Sequence, residues 1–347
     1  MSERSVRIVL VGLGNLGRRF AGILADKSSD VWRRYGLDLL LVGVADSRGT
    51  AYEPRGLDPA LVARIKSANR PIHEYPQAGR RGSAALDLVQ HAQADLLCEA
   101  SPVNLSSGGD PGLSCIRAAL ARGMHVVTPN KGPIVLAYRE LVLLAKERGV
   151  SLRFDGTVAG GLPALYLGMR DLRGALILRV EAVPNLSTGL ILDQLALGIS
   201  WDEALARGRA EGQLEADPTW DLDGWDAAAK LVILANAVLD VPASLQDVAR
   251  TGITGVSLAD IQEEARRGNT FRLVALAERC PDGSYHLSVA PRPLSLVHPL
   301  GRLGSRGMGI VYSTDIYGTI VATIEEPNPL PSAATMLRDI LDIYVHD

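Results

Sequence analysis

The stretch Val6-Arg-Ile-Val-Leu-Val-Gly12-Leu-Gly14-Asn-Leu-Gly17-Arg-Arg-Phe-Ala21 decides how the chain begins to fold. Its apolar run, Val6 to Val11, reads as a buried strand. Three glycines at the spacing Gly-x-Gly-x-x-Gly follow at once, and a helical stretch continues to about Tyr35. The first glycine, Gly12, permits a tight turn. Gly14 lets backbone approach a pyrophosphate, and Gly17 lets the helix pack close on the strand, while the helix N-terminus presents N–H groups and partial positive charge. Asn15 and Leu16 belong to the same cofactor-binding loop. The next strand, Asp38 to Asp46, ends in Val44-Ala-Asp46, a carboxylate placed to accept hydrogen bonds from an adenosine ribose. It lies 32 residues beyond Gly14, so the intervening helix and loop are long. Arg48, two residues further, is a candidate for a 2′-phosphate. NAD and NADP both stay open.

Outward from this loop, strand and helix alternate. Asp95–Ala100 reads as a strand, Gly109–Arg122 as a helix, His125–Thr128 as a strand and Tyr138–Arg148 as a helix, with 47–84 as surface loop and short helix. Such alternation, with strands apolar almost throughout, predicts a Rossmann-type doubly wound parallel sheet of α/β class over residues 1–150. After Val150 the texture changes, and 151–304 reads as a second, α+β domain for catalysis and dimerisation. The tail from about 305 to 347 is expected to rejoin the first domain, because its final helix is amphipathic and needs a sheet to cover.

In an open α/β sheet ligands sit beyond the carboxyl ends of the strands. Ser101-Pro102 and Thr128-Pro-Asn130-Lys131 occupy two such ends, which puts Ser101, Pro102, Thr128 and Asn130 in line for the cofactor. Lys131 is then a cation able to stabilise a forming alkoxide or donate a proton.

A second lysine stands out. In Ala227-Ala-Ala-Lys230-Leu-Val-Ile-Leu-Ala-Asn-Ala-Val-Leu239 it is the only charge. A helix apolar nearly all round is buried, and an ammonium inside it needs a partner or a polar cavity. Asp226, one turn earlier, offers a local ion pair, with Asp223 as the helix N-cap. Glu215, Asp217 and Asp221 bring further carboxylates to the helix start, and a carboxylate-lined pocket for a cationic substrate group accounts for more of them than the local pair does.

Composition narrows the classes. The 347 residues are 47% hydrophobic with a net charge of −3, and no basic stripe argues for nucleic acid or a membrane surface as partner. Three cysteines, Cys98, Cys115 and Cys280, show neither metal-type spacing nor a disulfide framework. No signal peptide or apolar span is read, which predicts a cytoplasmic protein with a small-molecule substrate. Of 36 basic residues only five are lysines, at 27, 66, 131, 146 and 230.

Several segments together resemble homoserine dehydrogenase. The glycine loop matches the family's cofactor loop. Val127-Thr-Pro-Asn-Lys-Gly-Pro133 is similar to its Thr-Ala-Asn-Lys segment, and Asp155-Gly-Thr-Val-Ala-Gly-Gly-Leu-Pro163 to its Glu-Ala-Thr-Val-Gly-Gly-Gly-Ile-Pro. Glu215-Ala-Asp-Pro-Thr-Trp-Asp-Leu-Asp-Gly-Trp-Asp-Ala-Ala-Ala-Lys230 resembles its most diagnostic stretch. The resemblance covers essentially the whole chain. It implies NAD(P)-dependent interconversion of L-aspartate 4-semialdehyde and L-homoserine, on the way to threonine, methionine and isoleucine.

The same resemblance implies that Glu215, Asp221 and Asp226 bind substrate and that Lys131 and Lys230 are the catalytic candidates, without saying which is the acid. Thr157, Gly160 and Gly161 would line the seam between domains, Ser187 the substrate's carboxylate site. A homodimer through the second domain's sheet is implied as well. Two domains fill the chain, so the appended regulatory domain of many relatives is not expected. Three departures stand out. Leu186 replaces a family glycine. Glu325-Glu-Pro-Asn-Pro-Leu-Pro331 replaces a glycine-rich loop that approaches the cofactor, which raises a related amino-acid semialdehyde, or a non-catalytic cofactor-binding relative, as alternatives. Asp155 replaces a glutamate linked to a structural monovalent cation, which counts against that ion; no other metal is expected.

Overall fold

The computed structural model describes residues 4–210, 214 and 217–345. The chain divides into two units, Met1–Gly161 with Asn328–Asp347, and Leu162–Pro327.

The first unit is built on a seven-stranded sheet. Its strands are β1 (Arg4–Val11), β2 (Leu37–Asp46), β3 (Gly49–Tyr52), β4 (Gly79–Arg81), β5 (Leu96–Glu99), β6 (His125–Val127) and β7 (Leu152–Arg153), in the order β4-β3-β2-β1-β5-β6-β7. Pairing is parallel from β2 through β7, while β3 and β4 add an antiparallel edge. Chain order reverses between β1 and β5, the crevice where open α/β sheets bind ligands. Five helices connect the strands: α1 (Asn15–Tyr35), α2 (Pro59–Ser67), α3 (Ala85–His91), α4 (Gly112–Ala121) and α5 (Lys131–Arg148).

The last of these starts seven residues before the Tyr138 expected from periodicity. The Asn130 side chain accepts the Gly132 N–H and caps it, Pro133 fits in the first turn where its missing N–H has no role, and Ala137 kinks it at φ −143°. Periodicity was legible only beyond the kink. Lys131 is therefore the first residue of a helix rather than part of a loop.

The second unit carries a six-stranded sheet: β8 (Ile177–Val183), β9 (Ala249–Arg250), β10 (Asn269–Arg279), β11 (Tyr285–Ser295), β12 (Gly307–Thr314) and β13 (Thr319–Glu325), ordered β13-β12-β8-β10-β11-β9. Its helices are α6 (Ala164–Tyr166), α7 (Leu186–Ala196), α8 (Trp201–Ala210), α9 (Thr219–Leu222), α10 (Trp225–Ala237) and α11 (Leu258–Arg266), of which α7, α10 and α11 pack on the long central strand β10. The chain then returns to the first unit as α12 (Leu330–Tyr344), whose Met336 and Ile340 share a core with Ile8 and Leu10 of β1 and Phe20 of α1.

Two boundaries thus differ from the sequence reading. The first unit extends past 150 to Gly161, and the return begins at 328, not 305. Residues 307–325 form a hairpin whose strand β12 pairs along β8, so backbone hydrogen bonding commits it to the second sheet. Among the described residues no helix is long and apolar enough to cross a membrane.

Candidate active site

A cleft of about 560 Å³ opens at the carboxyl ends of β1, β2 and β5, lined among others by Gly12, Gly14, Asp46, Lys66, Ser101 and Pro102. The three glycines do different work. Gly12 has φ +86°, and a Cβ there would lie 2.3 Å from the backbone of Ala100 and Ser101. A Cβ on Gly17 would come within 1.8 Å of the Gly12 carbonyl oxygen. Both are required by the fold itself. A Cβ on Gly14 would meet nothing within 4 Å, yet this residue caps α1 with no side-chain hydrogen bond, facing the cleft. Its bareness has no use in the protein alone and fits a ligand that reaches the backbone. A dinucleotide pyrophosphate on the N-terminus of α1 suits that cradle. Asn15 and Leu16 do not line the cleft: Asn15 bonds Arg19, and Leu16 packs toward the core.

Asp46 lies where the motif puts it, but it is not a vacant acceptor. Its Oδ2 accepts Lys66 Nζ at 2.5 Å and the Ile72 N–H at 2.9 Å, and its Oδ1 accepts the Arg48 N–H at 2.9 Å. Burial pushes this carboxyl up, but the Lys66 ammonium and the two N–H groups outweigh it and hold it below the usual carboxylate range. The Arg48 side chain instead donates to the Asn69 carbonyl at 3.2 Å. Lys66 was not singled out in the sequence, since it sits on α2 with no motif around it. The scarcity of lysine was the only signal.

Ser101, Thr128 and Asn130 are all buried and bonded to one another's loops. The Thr128 hydroxyl lies 2.9 Å from the Glu99 carbonyl oxygen and receives the Asn130 N–H at 3.0 Å. Asn130 Nδ2 reaches Ser101 Oγ at 3.4 Å. Pro102 is exposed at the cleft edge. Lys131 follows at the first turn of α5, half-buried.

The glycine-rich segment 155–161 turns through a short helix, Asp155–Thr157, with Thr157 Oγ1 donating to the Phe154 carbonyl at 2.7 Å, and Gly160 at φ +55°. Arg338 of α12 bonds the fully buried Asp155 carboxylate and donates to the Gly161 carbonyl at 2.9 Å. A guanidinium therefore already supplies positive charge at the buried Asp155 carboxylate. The residues present do not fit a monovalent cation there.

In the second unit the buried ammonium is fully engaged. Lys230 Nζ lies 2.7 Å from Asp226 Oδ2, 2.7 Å from the Pro184 carbonyl and 3.2 Å from Asn185 Oδ1, while Asn185 Nδ2 donates to Asp226 at 2.6 Å. The β8–α7 junction thus meets one face of α10, and the local pair expected from the sequence is present. Asp223 is not the cap: Gly224, at φ +81°, takes that place, because the chain must turn left-handed between α9 and α10. Asp221 lies in α9, half-buried, and Ser187 is buried in the first turn of α7. Glu215 lies outside the described residues. Leu186 opens α7, and the proline-rich segment before α12 places Pro331 in that helix's first turn, where its missing N–H is tolerated. Asn185 is the group that sequence reasoning missed: its amide joins the lysine to the carboxylate.

A glycine cradle at the switch point of a parallel sheet, and a second unit whose one buried ammonium is gripped by polar groups, define a nucleotide-dependent oxidoreductase. The family model for homoserine dehydrogenase matches residues 163–341, and that for the homoserine dehydrogenase NAD-binding domain matches 12–155. The chain belongs to the homoserine dehydrogenase family. It is 34% identical to the NAD(+)-dependent homoserine dehydrogenase of Pseudomonas canavaninivorans, over 97% of this chain and 96% of that protein. It is 32% identical to homoserine dehydrogenase of Methanocaldococcus jannaschii, over 97% and 98%. Among solved structures, a putative homoserine dehydrogenase from Archaeoglobus fulgidus superposes with TM-score 0.87 at 32% identity, covering 98% of this chain and 100% of that one. A hyperthermophilic archaeal homoserine dehydrogenase in complex with NADPH gives 0.84 at 29%, covering 98% of each.

Proposed function

We propose that the chain interconverts L-aspartate 4-semialdehyde and L-homoserine, with the first unit holding NAD or NADP and the second holding the amino-acid substrate. The observation that carries the division of roles is the grip of Asp226, Asn185 and Pro184 on Lys230, an ammonium fixed in a helix whose only other charge is Asp226 itself. When bound, the reduced nicotinamide supplies a hydride to the carbonyl carbon. The chain's residues do the rest. Gly14 and the α1 N-terminus seat the pyrophosphate, and Ser101, Pro102, Thr128 and Asn130 shape the nicotinamide end. Asp221, Asp226 and Glu215 take the substrate's ammonium. Lys230 trades its longest contact, that to Asn185, for the carbonyl oxygen and stabilises the charge forming on it. Lys131 and Lys230 are the two ammoniums able to deliver the proton. A cation fixed in advance where charge develops lowers the barrier without reorganising at the moment of reaction.

The test is steady-state oxidation of homoserine with NAD and with NADP in parallel, followed by nicotinamide absorbance. Turnover that is lost in Lys230→Ala supports the reading. No absorbance change with either cofactor, or activity untouched by that substitution, sinks it.

The same reading includes a cytoplasmic homodimer through the second sheet. Exposed Leu178 on β8, Val321 on β13, and Ile316 and Tyr317 in the turn before β13 give that sheet apolar surface to cover. Sedimentation of the wild type and of Val321→Glu tests it, with a concentration-independent monomer as the refuting result.

A further inference from the structure

Glu99, the last residue of β5, is completely buried at the centre of the first sheet. Its side chain is absorbed by none of the roles above. Oε1 accepts the Ser101 N–H at 2.7 Å, and Oε2 lies 3.2 Å from Thr128 Oγ1. The Ser101 and Asn130 side chains also bond this carboxyl. Gly112, opening α4, makes room for the group: a Cβ there would stand 3.0 Å from Oε2 and 2.8 Å from Asn130 Nδ2. One side chain therefore ties together three of the four residues that the proposed function places at the nicotinamide end of the cleft, Ser101, Thr128 and Asn130.

The contacts around Thr128 bear on the state of Glu99. The hydroxyl has one proton and two lone pairs. It receives the Asn130 N–H, and it faces two oxygens of the same residue, the Glu99 carbonyl at 2.9 Å and Oε2 at 3.2 Å. If Glu99 were a carboxylate, two acceptors would compete for one proton. If Oε2 carries a proton, it donates to Thr128 Oγ1 while the hydroxyl donates to the carbonyl, and every contact pairs a donor with an acceptor.

We infer that Glu99 is a neutral carboxylic acid at physiological pH and a positioning residue for the cofactor, clamping Ser101, Thr128 and Asn130 without placing a fixed negative charge under the nicotinamide. Burial drives its carboxyl up, and outweighs the hydrogen bonds from Ser101 and Asn130 that favour ionisation. Beside it stands Cys115 on α4, its thiol pushed up to about 12, chiefly by burial. Lys131 opens α5 directly after Asn130. The consequence is chemical. The oxidised nicotinamide is a cation and the reduced ring is neutral, so a carboxylate beneath it would favour the oxidised form. A neutral acid leaves that balance alone.

The inference rests on the proposed seat of the nicotinamide, and two measurements keep them apart. Infrared difference spectra of the cofactor-free protein at neutral pH, wild type against Glu99→Gln, test the proton. A carboxylic-acid C=O band that shifts in D2O and disappears in the variant is expected; no such band overturns the neutral acid whatever the cofactor does. Calorimetric titration then compares oxidised and reduced cofactor. Glu99→Gln, which keeps a neutral planar group, is expected to leave the ratio of the two Kd values within about twofold. Loss of a charge under the ring would instead weaken the oxidised form alone by about tenfold. Glu99→Leu is expected to weaken both forms together. An unaltered Glu99→Leu, with the band present, refutes the positioning role and leaves the proton in place.

Discussion

Lys66 Nζ lies 2.5 Å from Asp46 Oδ2 where β2 meets the cleft, so the acid that the motif assigns to the ribose is already joined to a cation. Both side chains are nearly buried, at 12% and 7% exposure. An ammonium beside the ribose favours a 2′-phosphate, and a neutralised Asp46 repels it less. Lys66→Met is expected to shift the ratio of kcat/KM for NADP over NAD downward by about tenfold or more. It should also cost about 3 kcal/mol of stability. The folded-state pKa of Asp46 is depressed, so its contribution is present above the ordinary carboxylate pKa and is lost as pH falls through the depressed value. Removing Lys66 raises that value, so the variant's Tm should begin to fall at a higher pH than the wild type's. Thermal melts across the acid range check it.

Gly14 separates binding from folding. Because a Cβ there meets nothing within 4 Å, Gly14→Ala should cost no more than about 1 kcal/mol of stability, the ordinary price of alanine at a helix cap. Its Kd for NADPH should rise at least tenfold, since the methyl occupies the approach of the pyrophosphate. Gly17→Ala, 1.8 Å from a carbonyl oxygen, should fail on stability first. Melting curves and calorimetry on the same samples separate the two.

The Lys230 cluster should prove dispensable for folding and indispensable for turnover. Replacing a buried ion pair by apolar residues is commonly neutral or stabilising, whereas removing one partner is not. The double variant Lys230→Met, Asp226→Leu is expected to match or exceed the wild-type Tm while losing activity by at least about 100-fold. Asn185→Ala should lower kcat about tenfold, because Lys230 and Asp226 lose the amide that aligns them. Steady-state kinetics with homoserine, set beside melting curves, reads both.

The Arg338–Asp155 bridge predicts indifference to monovalent ions. Wild-type Tm and kcat/KM should be the same in sodium, potassium and tetramethylammonium at equal ionic strength. Arg338→Leu strands a buried carboxylate and should cost about 3 kcal/mol. A saturable rise of the wild-type Tm with sodium would refute the assignment.

What could be read in advance follows the range of the interactions involved. The glycine loop, the β2 carboxylate and the strand-end residues Ser101 and Thr128 announce themselves because turn chemistry and strand periodicity are local. Lys66 gave no such sign: it meets Asp46 only because α2 folds back across the end of β2, 20 residues on. The helix at Lys131 was hidden by its own kink. Asn185 gave no sign either, because its amide bridges to α10, 41 residues away.

The sequence by itself determined the alternation of strand and helix, the cofactor loop and the isolated lysine of α10, since each depends on neighbours within a turn or two of backbone. Tertiary structure alone decided which charges are spent. Arg338 reaches Asp155 across 183 residues and pairs with its buried carboxylate, and Glu99 closes on Thr128 from the next strand. A carboxylate's proton, partner and charge depend on what packing brings within 3 Å of it, and chain order carries no record of that distance.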